Sequence, residues 1–366
     1  MKQNITIGSF PYAPGFNPYQ KLFTGGIEEA GLKVLRIPPK KWFPLQKAVA
    51  SDCDLLHLDW PQDWYTGRGR VSKALKGGMY RHGLSCLRKK PTVWTAHNLI
   101  SHDSLDPTRD KKMNQALIDV CRGVMVMSDA AELQLRELYR IPGSTNVRKV
   151  PHGHYIDCYL NVVSRDDARK RFSLAREKFI YLMPGAVKPY KGHADAIRSF
   201  VRCSAKDDVL IVAGRGEDGY IEQLRAIESE AGCVCSGDIQ FIDGQISDND
   251  FQYLFNLADV TVLPFVNVLN SGSLLLAMSF GSPVIAPRIG SIPEIALPEF
   301  FFGYDSNESV DDSLERAMRN AKCKLSQEFT KHKIQEVIIS YTKEEYDWGD
   351  AGASLAEWYS EILEKC

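Results

Sequence analysis

The sequence predicts an α/β protein with two doubly wound parallel sheets. Short, apolar, β-branched runs alternate with helical segments through the first half of the chain, and a second series of the same kind begins near residue 179. This alternation is typical of parallel sheets with helices on both faces. A chain of 366 residues is long enough for two such domains, each with its own core.

The first half predicts a Rossmann-like domain over residues 1–163. Its predicted strands are Ile5–Ser9, Val34–Pro38, Leu55–Asp59, Thr92–Ala96, Val124–Ser128 and Val147–Pro151. Helical periodicity lies between them over Pro18–Gly31, Val71–Leu87, Lys111–Arg122 and Ala130–Tyr139.

The second half predicts another Rossmann-like domain over residues 164–343. It opens with a polar, basic stretch (164–178) that suits a connector and a first helix. The predicted strands are Phe179–Met183, Val209–Ala213, Ile239–Ile242, Val260–Pro264, Pro283–Ala286 and Phe300–Phe302. Residues 344–366 form a helix with an aromatic face, which we expect to return to the first domain. In paired domains of this kind, ligands bind beyond the carboxyl ends of strands, in the cleft between the domains.

The composition excludes several classes of protein. Hydrophobic residues make up 44% and charged residues 25%, as in soluble globular proteins. A net charge of −1 argues against nucleic-acid binding by the whole chain, and no apolar run approaches the ~20 residues that span a bilayer. The N-terminus enters a strand directly, and the nine cysteines are scattered without metal-ligand spacing. We therefore expect a cytoplasmic protein without a metal site.

The segment from Asn270 to Pro287 carries the most information. A turn of small residues (Asn270, Ser271, Gly272, Ser273) leads into a short apolar helix, and Gly281 ends that helix before a buried strand. The amides of such a turn favour an anion at the helix N-terminus. A tight loop that only caps a core helix is the alternative.

Other candidate donor groups follow the first three strands of the second half. Gly185–Gly192 contains Lys188 and Lys191 between glycines, which suits a diphosphate because lysine supplies charge and glycine permits close backbone approach. A solvated turn is the alternative. Gly214 with Arg215, and Gln245 with Ile246, follow the next two strands and could meet a nucleotide; a lone G-x-G is weak evidence.

Polar residues also follow strands of the first half. Trp94–Asp103 contains His97, Asn98, His102 and Asp103, which could serve in proton transfer or hydroxyl recognition. Two further residue groups join these acceptor candidates: Asp59 at the end of a strand, and His152 and His154 in the run Pro-His-Gly-His.

A basic stretch lies between Trp64 and His102, a stretch that contains no acidic residue. Its eight cations are Arg68, Arg70, Lys73, Lys76, Arg81, Arg88, Lys89 and Lys90. Val71, Leu75 and Met79 form an apolar stripe beside them. Residues 68–90 therefore suit docking on an anionic membrane surface. A solvated helix packed on its own domain by that stripe is the alternative.

Together these motifs resemble those of GT-B fold glycosyltransferases, over nearly the whole chain. Gly185–Gly192 resembles the donor loop G-R-L-x-x-x-K-G, with Lys191 at the motif lysine and Ala186 at the motif arginine. Leu276–Ala286 resembles the E-A-M-A-x-G-x-P-V-I-A segment of glycosyltransferase family 4. That family's two glutamates fall on Val268 and Leu276, so their roles at the ribose and the donor sugar do not carry over.

Three shorter motifs, T-A-H-N-x-x-x-H-D, P-H-G-H-Y and N-S-G-S, are similar to bacterial exopolysaccharide transferases of the xanthan β-mannosyltransferase type. The resemblance implies transfer of a hexose such as mannose from GDP- or UDP-hexose, which is a substrate and not a cofactor. The acceptor would be a hydroxyl of a lipid-linked or polysaccharide glycan, and no metal is needed. An inverting mechanism needs a base near that hydroxyl, for which His97, Asp103 and Asp59 are candidates, and we expect His97 and Asp103 to be the catalytic residues. Retention and inversion both remain open. A nucleotide-sugar epimerase and a non-catalytic partner are the alternative functions.

Overall fold

The computed structural model describes residues 5–366 except 14, 16, 68, 101–103, 105, 218, 232–235, 306–309 and 328–330. The chain divides into two compact units. One contains Met1–Gly153 and Tyr346–Cys366, and the other contains His154–Glu345.

The first unit is built on a six-stranded parallel sheet with the order β2-β1-β3-β4-β5-β6. The strands are β1 Thr6–Phe10, β2 Lys33–Arg36, β3 Leu55–Leu58, β4 Thr92–Thr95, β5 Gly123–Val126 and β6 Asn146–Lys149. The helices are α1 Tyr19–Glu29, α2 Pro44–Val49, α3 Gln62–Tyr65, α4 Arg70–Leu87, α5 Pro107–Ile118 and α6 Asp129–Leu138. Strand order reverses between β1 and β3, and parallel sheets bind ligands where it reverses.

The second unit contains another six-stranded parallel sheet, with the order β12-β11-β10-β7-β8-β9. Its strands are β7 Phe179–Pro184, β8 Asp208–Gly214, β9 Asp238–Asp243, β10 Val260–Val262, β11 Val284–Pro287 and β12 Phe301–Tyr304. Its helices are α7 Arg165–Arg171, α8 His193–Cys203, α9 Tyr220–Ala231, α10 Asp250–Leu257, α11 Gly272–Ser279, α12 Ile292–Ile295, α13 Val310–Gln327 and α14 Lys331–Glu345. Short 3₁₀ turns cover Pro189–Lys191 and Pro298–Phe300. Here strand order reverses between β7 and β10.

The C-terminal helix α15, Trp348–Glu364, belongs to the first unit. Its aromatic face enters the core that also contains residues of β1 and α1: the shared members include Ile7, Phe23, Ile27, Trp348, Leu355, Trp358 and Tyr359. Two glycines allow the backbones of α1 and α15 to touch. A Cβ on Gly352 would lie 2.0 Å from the Gly26 carbonyl oxygen, so a larger residue would separate the helices.

The predicted fold class is confirmed: all twelve predicted strands are present, and the last helix packs on the first unit. One boundary in the C-terminal segment is wrong. We predicted a single helix from residue 344, but α14 ends at Glu345 and α15 begins at Trp348. Asp347 accounts for the break, because its carboxylate accepts hydrogen bonds from the Gly349 and Asp350 amides and so caps a new helix.

Candidate active site

The donor candidates of the second unit come together at the carboxyl edge of its sheet. The loop after β7 pairs with the loop after β8, since the Gly185 amide donates to the Ala213 oxygen and the Val187 amide to the Arg215 oxygen, both at 2.9 Å. A Cβ on Gly214 would lie 1.9 Å from the Gly185 oxygen, so the two loops touch through their backbones. Arg215 is exposed at this point.

Gly192 closes the loop after β7 and starts α8. It has φ 71°, in the left-handed region that favours glycine, and a Cβ there would lie 1.9 Å from the Pro264 oxygen. The loop is therefore packed against the residues that follow β10, at the point where strand order reverses.

Lys191 is half-buried in this loop, beside a small pocket lined by Met183, Pro184, His193 and Phe265. Its Nζ lies 5.9 Å from the centroid of the Phe265 ring. Burial, with a smaller effect of the neighbouring Lys188, lowers the pKa of Lys191 to about 8. Within the described part of the chain no carboxylate pairs with it. An ammonium group with these surroundings favours an anion from outside the protein.

Lys188 has different surroundings. Its Nζ lies 3.0 Å from a carboxylate oxygen of Glu217, a residue of the loop after β8. The two lysines that look alike in the sequence are therefore unequal, and Lys191 is the one that offers an uncompensated charge.

Helix α11 begins at the same edge of the sheet. The Ser271 hydroxyl accepts a hydrogen bond of 3.2 Å from the Leu274 amide, which makes Ser271 the N-cap. The amides of Gly272 and Ser273 are then the first of the helix and point outward from its N-terminus, where the positive end of the dipole lies. Asn270 precedes the cap and is half-buried. This geometry suits a phosphate.

Two positions near α11 are apolar. Val268 is buried, and its carbonyl oxygen lies 2.2 Å from where a Gly290 Cβ would be. Leu276 is half-buried on α11. No carboxylate is thus available at these positions to accept a hydrogen bond from a ribose hydroxyl. Gln245, which is exposed, and Ile246, which is half-buried, follow the edge strand β9.

In the first unit, His97 and Asp59 form a contact between two neighbouring strand ends. His97 Nε2 lies 2.7 Å from Asp59 Oδ1. The Asp59 side chain is fully buried and the His97 side chain is 13% exposed. The second carboxylate oxygen of Asp59 is buried without a hydrogen-bond partner among the described residues. A buried carboxylate at one imidazole nitrogen fixes the orientation of the ring and stabilises its protonated form.

Aromatic rings surround this pair. The Trp60 indole stacks on the His97 imidazole with centroids 4.4 Å apart and planes 11° apart. Tyr19 meets the same imidazole edge-on at 5.0 Å, and Trp348 of α15 lies against Tyr19. Trp60 has φ 40°, a conformation that costs an L-residue about 1–3 kcal/mol and is found mainly at functional sites.

Sequence reasoning missed these three aromatic residues. The predicted strand Leu55–Asp59 ends directly before Trp60, and this position at a strand end is the signal that could have identified Trp60 as a site residue. No signal in the sequence pointed to Tyr19 or Trp348, because their position near His97 depends on how α1 and α15 pack.

The remaining acceptor candidates have different positions. His152 is buried against Tyr19 and Trp348, and its Nδ1 lies 2.7 Å from the Gly153 oxygen; burial lowers its pKa to about 4. Asn98 is half-buried next to His97. His154 belongs to the second unit, so the structure does not group it with the others. His102 and Asp103 lie outside the described residues. The carboxylate that contacts the His97 imidazole is that of Asp59.

Two properties of the described residues bear on cofactors and membranes. They contain no cluster of three or more His, Cys, Asp or Glu side chains that could hold a metal ion. None of their helices is long and apolar enough to cross a bilayer.

The chain is similar in sequence to known proteins. Residues 178–320 match the family described as glycosyl transferases group 1. The chain is 26% identical over 290 residues to a GDP-mannose:glycolipid 4-beta-D-mannosyltransferase of Xanthomonas campestris pv. campestris, covering 76% of this chain and 72% of the relative.

Solved structures share the architecture over almost the whole chain. A sucrose-phosphate synthase from Thermosynechococcus elongatus has a TM-score of 0.74 at 17% identity, over 99% of this chain and 100% of that one. HepE of Anabaena in complex with UDP has a TM-score of 0.72 at 16% identity, over 98% and 100%. The fold is thus the one found in GT-B glycosyltransferases, and the family match over residues 178–320 together with the sequence relative supports a glycosyltransferase that uses a nucleotide-sugar donor.

Proposed function

We propose that the protein transfers mannose from a nucleotide-diphosphate mannose to a hydroxyl of a lipid-linked glycan, without a catalytic metal. The observation that carries the proposal is Lys191, a desolvated cation in the loop after β7, at the same carboxyl edge of the sheet as the N-terminus of α11. The activity of the Xanthomonas relative, a GDP-mannose:glycolipid mannosyltransferase, supports mannose and a glycolipid acceptor.

On the donor side, negative charge grows on the diphosphate as its bond to the sugar breaks. Lys191 and the Gly272 and Ser273 amides would stabilise that charge where it develops. Gly185, Lys188, Gly214, Arg215, Gln245, Ile246, Asn270 and Ser271 complete the proposed donor site.

On the acceptor side, the His97 imidazole would take the proton of the attacking hydroxyl, and Asp59 would stabilise the imidazolium that forms. A base of this kind suits inversion at the sugar carbon. Asn98 and His152, with His102, Asp103 and His154 as further candidates, would recognise acceptor hydroxyls.

The test uses the purified full-length protein with GDP-mannose, UDP-glucose and UDP-galactose, each with a lipid-linked oligosaccharide and with the lipid alone. We expect a product only with GDP-mannose and the oligosaccharide, with a β linkage and at the same rate in EDTA. Isomerisation of the donor without acceptor would instead favour an epimerase. Nucleotide binding without turnover on any acceptor would favour a non-catalytic partner.

We also propose that the first unit docks on anionic lipid, which would place it near such an acceptor. Helix α4 packs inward through Tyr80, Leu84 and Leu87, whereas Val71 is 83% exposed and Leu75 is 53% exposed. The apolar stripe therefore does not pack on its own domain at these two positions. Trp42 (58%) and Phe43 (46%) are also exposed, directly before α2.

Helices α2 and α4 lie side by side, because Gln46 Nε2 donates to the Met79 oxygen at 3.2 Å. The exposed cations on and beside them are Lys40, Lys41, Arg81, Arg88 and Lys89. Exposed aromatic and aliphatic side chains beside lysine and arginine suit a lipid headgroup region.

Replacing Arg81, Arg88 and Lys89 with glutamine is expected to lower partitioning onto phosphatidylglycerol vesicles about 100-fold, since each cation near the surface contributes about 1 kcal/mol. Lys90 is left in place because its Nζ donates to the Ser51 oxygen at 2.5 Å. Cosedimentation at low and high salt measures the effect. The matched control replaces Lys111, Lys112 and Arg122, three exposed cations of the same unit. Equal binding to neutral phosphatidylcholine vesicles, or an equal loss in the control, would contradict the proposal.

Donor binding is expected to weaken about fourfold between pH 7 and pH 8.5. Lys191 is charged below its pKa of about 8 and loses its proton, and its attraction for diphosphate, as the pH rises through that value. Titration calorimetry with GDP-mannose measures the change. Lys191→Arg keeps its charge over this range and should remove the dependence. A constant affinity in the unsubstituted protein would show that Lys191 does not meet the diphosphate.

A further inference from the structure

A second side-chain contact joins β3 and β4, two residues before Asp59 on one strand and two residues before His97 on the other. His57 Nε2 lies 2.5 Å from the Thr95 hydroxyl, and both residues are fully buried. Asp59 follows His57 by two residues, and His97 follows Thr95 by two. Since side chains two apart along a strand share a face, the His57–Thr95 contact precedes the catalytic pair on the same two strands.

The C-terminal helix supplies a third member of this contact. The Tyr359 hydroxyl of α15 lies 2.6 Å from His57 Nδ1 and is fully buried, although it is 302 residues away in the chain. Phe23 of α1 meets the His57 imidazole edge-on at 4.9 Å. The imidazole is thus held on both nitrogens and on one ring edge.

The hydrogen bonds can be given a direction. Burial lowers the pKa of His57 to about 4, so the ring is neutral near pH 7, with one donor and one acceptor nitrogen. The Thr95 hydroxyl donates to Met125 Sδ at 3.8 Å, so its oxygen is left to accept from His57 Nε2–H. His57 Nδ1 then accepts from Tyr359, whose pKa burial raises well above its ordinary value. The chain runs from Tyr359 through His57 and Thr95 to Met125.

We propose that His57 and Tyr359 are positioning residues for the transfer reaction: they fix the ends of β3 and β4 so that Asp59 holds His97 in the orientation that accepts the acceptor proton. This role rests on the proposed function of His97 as the base. Small displacements of a reacting group matter, because a misplacement of about 1 Å can cost about 100-fold in rate.

The test compares Tyr359→Phe and His57→Phe with Ser360→Ala, a control on the same helix whose hydroxyl donates to the Ala356 oxygen within that helix. We expect kcat to fall about tenfold in Tyr359→Phe and more in His57→Phe, with the donor KM unchanged. His57→Gln should recover part of the loss, since its Nε2 can still donate to Thr95. Ser360→Ala should have normal kcat. The thermal unfolding of each variant shows whether the fold is intact.

A double-mutant cycle separates positioning from a general loss of stability. If His57 and Tyr359 act through His97, adding Tyr359→Phe to His97→Ala should lower kcat little further. A tenfold loss in both backgrounds, or normal kcat in Tyr359→Phe, would overturn the positioning role. Normal kcat in His97→Ala would instead overturn the proposed base, so the two failures are distinguishable.

Discussion

His97→Ala is expected to lower turnover by about 100- to 10,000-fold, the usual contribution of a general base. The imidazole is the group that Asp59 orients at 2.7 Å and on which Trp60 stacks, so the substitution removes the proposed base itself. The donor affinity should change little, because the donor candidates lie on the second unit. Initial rates and calorimetry with GDP-mannose give the two quantities separately.

Two variants control this experiment. His82→Ala removes an exposed histidine of α4 and should have normal turnover. Asp59→Asn keeps the shape but removes the charge that stabilises the imidazolium, and we expect a loss approaching that of His97→Ala. If His97→Ala lowered the donor affinity by as large a factor as the turnover, His97 would belong to the donor site instead. Normal turnover would remove its proposed role altogether.

Lys191→Ala is expected to raise the donor dissociation constant by about 10- to 150-fold, which corresponds to loss of a charge-assisted contact worth about 1.5–3 kcal/mol. The turnover should fall as well, since the leaving diphosphate then develops its charge without the ammonium group. The fold should be retained, because Lys191 has no carboxylate partner among the described residues.

Lys188→Ala is the matched control, three residues earlier in the same loop. Its ammonium group already pairs with Glu217 at 3.0 Å, so Lys188→Ala should lower the donor affinity much less than Lys191→Ala does. An equal loss of donor affinity in the two variants would show that Lys188 leaves its ion pair with Glu217 and contacts the donor. Unchanged affinity and rate in Lys191→Ala would contradict the assignment of this loop.

The strands could be predicted because burial on both faces of a parallel sheet leaves a local signature. Runs such as Leu55–Leu58 and Phe179–Pro184 are buried throughout. A short apolar run bounded by polar residues indicates a strand that is buried on both faces. Helix α2 was missed because it has only six residues, Pro44–Val49, too few for a periodicity to be recognised.

The candidate site was predicted only where its residues adjoin a strand end. Lys191 and His97 follow strands within a few residues, and so local pattern located them. The partner of each depends on strand order. Glu217 meets Lys188 because β8 lies beside β7, and Asp59 meets His97 because β4 lies beside β3. A single sequence does not show which strands are neighbours in the sheet.

The place of α15 has a consequence for how the protein is made. Residues 346–366 complete the core of a unit whose other residues end at Gly153, so translation of about 200 further residues separates the two parts. At roughly 5–20 residues per second, that interval is about 10–40 s. During it, Phe23 and Ile27 of α1 have no Trp348 or Leu355 to cover them. Apolar side chains of the nascent first unit therefore stay uncovered until the last helix has emerged, and exposed apolar surface of this kind is what chaperones bind.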